Sequence, residues 1–275
     1  MRNGQTKAKD DEIGSMSESR NQKPGVLKRL NRALNRMCRK LLRREKPATP
    51  LPPSTYINPS FARHMDKARI KVAFEIGSRD ARDAVAVRDF YTVPQVFCME
   101  CNPEALVLCR ETLSGEDNIS LVEKAAWMES GPLTFYPVVK SYRDGNEERN
   151  IGASSCFLES GDYAHREKFI QEKITVDAVR LDHLCHELSI PAIDLICMDV
   201  QGAALQVLEG LGDKLKETSY IITELEVSPV YEGQSLLPEV TAYLHSHGFR
   251  QIALDMQFPE FGDFLFVNEK TKKSV

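Results

Sequence analysis

The stretch IDLICMDVQGAALQVLEG, residues 193–210, decides the fold. Its first eight residues, 193–200, are the most apolar run in the chain. A nearly continuous apolar run of that length reads as a strand buried on both faces, as in a parallel sheet covered by helices. Beyond it, Ala204, Leu208, Leu211 and Leu215 recur at helical spacing, which predicts a helix over 203–215. Gly202 stands where that helix must approach the strand closely. Asp199 therefore falls at the carboxyl tip of a strand, the place where open α/β sheets bind their ligands. The same residue suits the cap of the following helix equally well.

Working outward, the same alternation continues. KVAFEIG (71–77) and QVFCMEC (95–101) read as buried strands. A helix is expected after the first from Asp80, as N-cap, to Tyr91, and after the second from Pro103 to about Leu113. NISLVEKAAW (118–127) reads as a third strand and PLTFYPV (132–138) as an extra one. Residues 140–161, rich in Ser, Gly, Asn and charge, are expected to form a mobile loop or lid. KITVDAVRL leads into a short helix, YIITELEV (220–227) is another strand, and a helix over 236–247 is stopped by Gly248. QIALDM and FGDFLFVN close the chain as an antiparallel pair. The expected fold is α/β, a doubly wound and mostly parallel sheet with an antiparallel C-terminal strand pair.

Composition agrees with a folded body and sets its N-terminus apart. Of 275 residues 42% are hydrophobic and 28% charged, which excludes a collagen, a coiled coil and wholesale disorder. No apolar run approaches a membrane span, and the first thirty residues carry no secretory signal pattern, so a cytoplasmic protein is expected. Seven scattered cysteines read as buried thiols rather than a disulfide framework. Residues 1–50 hold 14 Lys and Arg against 5 Asp and Glu, whereas residues 51–275 hold 22 against 35. The acidic body makes a nucleic-acid substrate unexpected. Residues 1–22 read as a disordered tail, 23–46 as a basic amphipathic helix and 47–69 as a proline-rich linker to the domain 70–275. In the helix Leu27, Leu30, Leu34, Met37 and Leu41 form a stripe among Lys28, Arg29, Arg32, Arg36, Arg39, Lys40, Arg43 and Arg44. Such a helix over 24–46 suits an anionic membrane surface, which would make the protein peripheral at the inner face. Docking on the acidic body is the alternative.

The strand ends hold the chemistry. Glu75 and Gly77 close the first strand, and Glu100 follows Gly77 by 23 residues at the tip of the second. A turn glycine before a helix, paired with an acid at that spacing, can hold an adenosine ribose by both hydroxyls. FEIGSRDA lacks the fuller glycine run of a nicotinamide-dependent dehydrogenase, which stays a competing enzyme class. Cys98 and Cys101 form a CxxC without a second pair or a suitable histidine set, so no metal is expected there.

The ordered segments FEIGSRDARDAV, FCMECNPEAL, EKAAW, ITVDAVRLDHL, IDLICMDVQGAALQVLEG, ITELEV and VYEGQSLLPEVTAYLHSHGF resemble the FkbM family of S-adenosylmethionine-dependent methyltransferases over about residues 70–256. The resemblance implies a class I methyltransferase (Rossmann-like) fold. It places Glu75, Gly77 and Ser78 in the first cofactor motif, Glu100 and Cys101 at the ribose, and Ala125 and Ala126 near the adenine. Asp199 matches the signature aspartate. This chain departs from the pattern at Ala81 (commonly glycine), Cys197 (lysine), Gln201 (glutamate) and Ala204 (glutamate).

Methyl transfer to a hydroxyl needs alignment first and a base second. Asp199 is the leading candidate for the base, with Glu226 behind it and His165 and His183 as further options. The expected reaction is O-methylation of a small-molecule or glycan hydroxyl, a sugar or a secondary metabolite, with S-adenosyl-L-methionine as cofactor. A membrane-docked, non-catalytic cofactor-binding protein is the competing reading outside enzymes. Glu100→Ala is expected to weaken the adenosyl ligand with the fold intact.

Overall fold

A computed structural model describes residues 54–271. The tail 1–22, the basic helix 23–46 and the first residues of the linker lie outside the described residues. Residues 54–69, expected as the end of the linker, are instead part of the domain. A 3-10 turn at Thr55–Ile57, helix α1 (Pro59–Ala62) and a second 3-10 turn at Lys67–Arg69 place Tyr56, Phe61 and Met65 in the core beside Ala73, Val87 and Tyr91. The Tyr91 hydroxyl donates to the Tyr56 carbonyl at 2.8 Å. The prolines suggested a spacer, but three large apolar side chains within ten residues make burial the stronger effect.

Strands β1 (Val72–Ile76) and β2 (Gln95–Met99) are separated by α2 (Arg82–Tyr91), and α3 (Pro103–Thr112) leads to β3 (Ile119–Val122). Two features here depart from expectation. Helix α2 is capped not by Asp80 but by Ala81, held in the left-handed region at φ 59°; a glycine adopts that conformation without a Cβ penalty. The third strand stops at Val122, and Ala125–Ala126 form β4, which pairs in parallel with β9 (Ile174–Val179) in a second, three-stranded sheet completed by β5 (Gly131–Phe135).

The expected lid is folded. β6 (Val138–Arg143) and β7 (Asn146–Glu148) form a hairpin across Asp144-Gly145, both at positive φ, and β8 (Lys168–Gln171) pairs with β6 on its other edge. A two-residue Asp-Gly loop of that kind matches the natural strand twist.

Helix α4 (Leu181–Glu187) precedes β10 (Leu195–Met198), and α5 (Ala204–Glu209) follows it. The predicted helix over 203–215 breaks in two, the second part being a 3-10 turn at Gly212–Lys216. A Cβ on Gly210 would overlap the Trp127 carbonyl, and Gly212 takes φ 50°, so the chain bends where a side chain has no room. β11 (Tyr220–Glu226), α6 (Leu237–Ser246), β12 (Phe249–Met256) and β13 (Phe261–Asn268) complete the chain.

The main sheet runs β12-β13-β11-β10-β1-β2-β3. β13 is antiparallel to both neighbours and the other pairings are parallel. Strand order reverses between β1 and β10, which opens a crevice at their carboxyl ends. Alternation sorts the two faces: Phe74, Ile76, Ile196 and Met198 pack with α4, α5 and α6, while Ala73, Leu195, Cys197 and Ile222 pack with α2 and the 54–69 segment. Among the described residues no helix is long and apolar enough to cross a membrane.

Candidate active site

A cleft lies at the strand-order reversal, where open α/β sheets bind their ligands. Six sequence-predicted residues line it: Gly77, Glu100, Cys101, Ala125, Ala126 and Asp199. Glu75, Ser78 and Glu226 do not. They are buried beneath the turns that shape the cleft.

Gly77 opens the turn after β1 at φ 86°, with its N–H bonded to the Met99 carbonyl at 3.0 Å. Directly under it, the Ser78 hydroxyl bonds the Glu75 carboxyl and receives the Cys98 thiol at 3.0 Å. Burial pushes the Glu75 pKa well up. Burial favours the uncharged form of such a carboxyl, and at 1% exposure Glu75 does not reach the cleft lining.

Glu100, just beyond β2, is 8% exposed. Its Oε1 accepts from the backbone N–H groups of Cys101 and Asn102, both at 2.7 Å, and its Oε2 accepts from Arg79 N–H at 2.8 Å. Burial raises its pKa against those three hydrogen bonds. The carboxylate thus ties the turn after β1 to the turn after β2, and it retains acceptor capacity toward the cleft, since a carboxylate has about four lone-pair sites. Asn102 caps α3 through Glu104 N–H and donates to Ser154 Oγ at 3.2 Å. That contact brings residues 151–156, the wall contributed by the folded 140–161 segment, onto the cleft.

Asp199 follows β10, and its N–H bonds the Ile76 carbonyl at 3.1 Å. It does not cap α5, whose N-cap is Ala203. Burial raises its pKa, opposed by hydrogen bonds from Gln201 and the charge of Arg79. Gln201, at φ 49°, donates through Nε2 to Asp199 Oδ1. The Tyr231 hydroxyl stands 2.7 Å from Gln201 Oε1 and 2.9 Å from the Ala153 carbonyl, sharing its one proton between them. That donor fixes the amide with its oxygen toward Tyr231 and its nitrogen toward the acids. Ser155 Oγ completes the join by donating to the Gln201 carbonyl at 2.7 Å.

Glu226 sits at the end of β11 beside the backbone N–H of Gly202, its pKa pushed to about 8 by burial. It is 4% exposed and does not line the cleft, so it packs under the Gly202 turn rather than facing the space an acceptor would enter. His165 and His183 are exposed and outside the cleft. The sequence reading noted Gln201 only as a departure from the family pattern and gave no role to it, to Tyr231 or to Glu224. Strand alternation was the available signal for Glu224, two residues before Glu226 on the same face.

Residues 56–251 match the family model described as the methyltransferase FkbM domain. The chain belongs to the FkbM methyltransferase family. It is a methyltransferase with S-adenosylmethionine as methyl donor, built on an α/β fold with a mostly parallel central sheet. It is similar to 2-O-methyltransferase NoeI of Sinorhizobium fredii (strain NBRC 101917 / NGR234), at 33% identity over 203 residues, which are 72% of this chain and 80% of that protein. Among solved structures it resembles methyltransferase FkbM from Methylobacillus flagellatus KT, at 12% identity and TM-score 0.47, covering 72% of this chain. The chain spans less than half of that structure, 43% of its length. TrmK of M. capricolum in complex with S-adenosyl-homocysteine gives 10% identity and TM-score 0.42 over 78% of this chain and 68% of the other. Neither the nicotinamide-dependent oxidoreductase nor the non-catalytic reading is supported by these matches.

The residues present fit the cofactor. Glu100 is an acid with free acceptor capacity at the second strand tip, suited to a ribose diol. Gly77 leaves the backbone bare at the turn, and Ala125 and Ala126 leave room along one side of the cleft.

Proposed function

We propose that this FkbM-family enzyme transfers a methyl group to a hydroxyl of a sugar or glycan. The observation that carries the reading is the placement of Asp199: a carboxylate with its own donors lines the same cleft as Glu100. When bound, S-adenosylmethionine supplies an electrophilic methyl on a sulfonium. Gly77, Glu100, Cys101, Ala125 and Ala126 hold it in this reading, while Asp199 takes the acceptor's proton. Burial raises the Asp199 pKa, which makes it a stronger base, while the Gln201 donors and the Arg79 charge favour its ionised form. The similarity to a 2-O-methyltransferase favours oxygen as the acceptor atom.

The test is transfer of a labelled methyl from S-adenosylmethionine to a panel of sugars, oligosaccharides and small polyols, read by mass spectrometry. Methylated sugar products formed by the wild type and lost in Asp199→Asn support the reading. Transfer to a nitrogen, sulfur or carbon acceptor, with no sugar methylated, overturns it.

The basic segment 24–46 carries a second proposal, peripheral attachment to an anionic membrane surface. Its support is the pattern of eight cations flanking a Leu/Met stripe.

A further inference from the structure

A second carboxyl stands behind Asp199. Glu224 lies on β11, directly opposite Asp263 of β13. The Gln201 amide that donates to Asp199 Oδ1 also stands 3.4 Å from Glu224 Oε1, so a single NH2 group spans both carboxyls. Two carboxyls sharing so small a space cannot both ionise, so one of them keeps a proton.

The surroundings decide which. Asp199 has the Gln201 side-chain and backbone donors and feels the Arg79 guanidinium. Glu224 faces acids, namely Asp199, Glu226 and Asp263. Tyr231, whose hydroxyl bonds the Gln201 amide, and Tyr56 are buried, and burial raises both phenols so that they stay protonated. The anion is therefore stabilised at Asp199 and the proton at Glu224, in keeping with the Glu224 pKa being pushed well up. Gln201 brings a donor to this place, where the glutamate common in the family would bring a third acid.

We infer that Glu224 is the proton-holding partner of Asp199, a positioning residue whose hydrogen bond keeps the Asp199 carboxylate ionised and aimed into the cleft. Only the use of that carboxylate rests on the O-methylation reading. When an acceptor hydroxyl gives up its proton, the O–H electron pair stays on the acceptor oxygen and the proton passes to Asp199, while Glu224 keeps its own.

The experiment is a carbon-13 NMR titration of the full chain, labelled at the glutamate side-chain carboxyl carbons. The Glu224 signal is identified by its absence in Glu224→Gln. It is expected to titrate above the ordinary carboxylate range, and in Asp199→Asn its midpoint should fall by about one pH unit or more, a tenfold change in proton affinity. Asp199→Ser, smaller and also uncharged, gives the same reading if the Asn variant fails to fold. A structural role alone would not tie the Glu224 midpoint to the charge at 199. A Glu224 signal that titrates in the ordinary carboxylate range, or is unmoved by both Asp199 variants, overturns the inference and leaves the O-methylation reading standing. A non-hydroxyl acceptor would do the reverse.

Discussion

The backbone of Gly77 passes so close to the carbonyl of Asp199 that no Cβ fits between them. The glycine that the family resemblance implies for the cofactor is thus also what lets the turn after β1 meet the turn after β10. Its φ of 86° adds a second demand that an L side chain meets poorly. Gly77→Ala is expected to cost about 2–4 kcal/mol of stability, the range of a strained and overpacked backbone position. It should also abolish S-adenosylhomocysteine binding. Urea denaturation and calorimetry check both, and a variant with wild-type stability would show that the two turns separate freely.

Glu100 requires a revision of what its removal does. The carboxylate satisfies the N–H groups of Arg79, Cys101 and Asn102, so Glu100→Ala leaves three donors without a partner near the cleft floor. An unsatisfied buried donor costs about 1–3 kcal/mol. The expected outcome is a loss of about 3 kcal/mol in stability together with about a hundredfold weaker adenosyl binding, not weaker binding alone. Glu100→Gln should also lose stability, because its NH2 meets a backbone N–H. A stable Glu100→Ala protein with weakened binding would restore the simpler expectation.

The contrast shows where sequence was legible. The central strands of the main sheet announce themselves because burial on both faces makes their runs nearly continuously apolar, as in Leu195–Met198. Gly77, Glu100 and Asp199 were readable because each ends such a strand. The 140–161 segment was misread because its hairpin is polar and largely exposed, although Asp144-Gly145 was a usable turn signal. Glu75 and Glu226 were misplaced for another reason: sequence gives the end of a strand but not which of its acids lies under a turn and which over a cleft. Gln201 and Tyr231 meet across thirty residues, a contact that no local pattern encodes.

Tyr231 joins the Gln201 amide to the wall at Ala153 through one hydroxyl. Tyr231→Phe keeps the buried ring and removes that link. It should cost about 1 kcal/mol and lower methyl transfer more than it lowers adenosyl affinity, since the freed amide no longer holds Asp199. Turnover equal to wild type would mean that Asp199 and Glu224 suffice to fix each other.

For the arm, replacing Lys28, Arg29, Arg32, Arg36, Arg39, Lys40, Arg43 and Arg44 by Gln in the full chain should abolish adsorption to vesicles containing phosphatidylserine. Each cation near such a surface contributes about 1 kcal/mol. The wild-type adsorption should weaken with salt, and cofactor affinity should not change. Sedimentation with vesicles reads the result; an intact chain that stays in solution ends the proposal.

Glu226 gives a pH signature with a defined sign. Its folded pKa of about 8 lies above the unfolded value of about 4.3. Between those limits the folded chain holds a proton that the unfolded chain has released. The stabilising contribution is therefore complete below about pH 4.3 and is lost as pH rises through about 8. Glu226→Gln cannot lose it. The stability of that variant relative to wild type should climb by up to about 1.4 kcal/mol per pH unit across the window and level off above it. Asp263, raised by burial to about 7, adds a similar slope to both proteins and cancels in the comparison. Urea denaturation at pH 5, 7 and 9 measures the difference. Parallel curves would place an ionised Glu226 under the Gly202 turn.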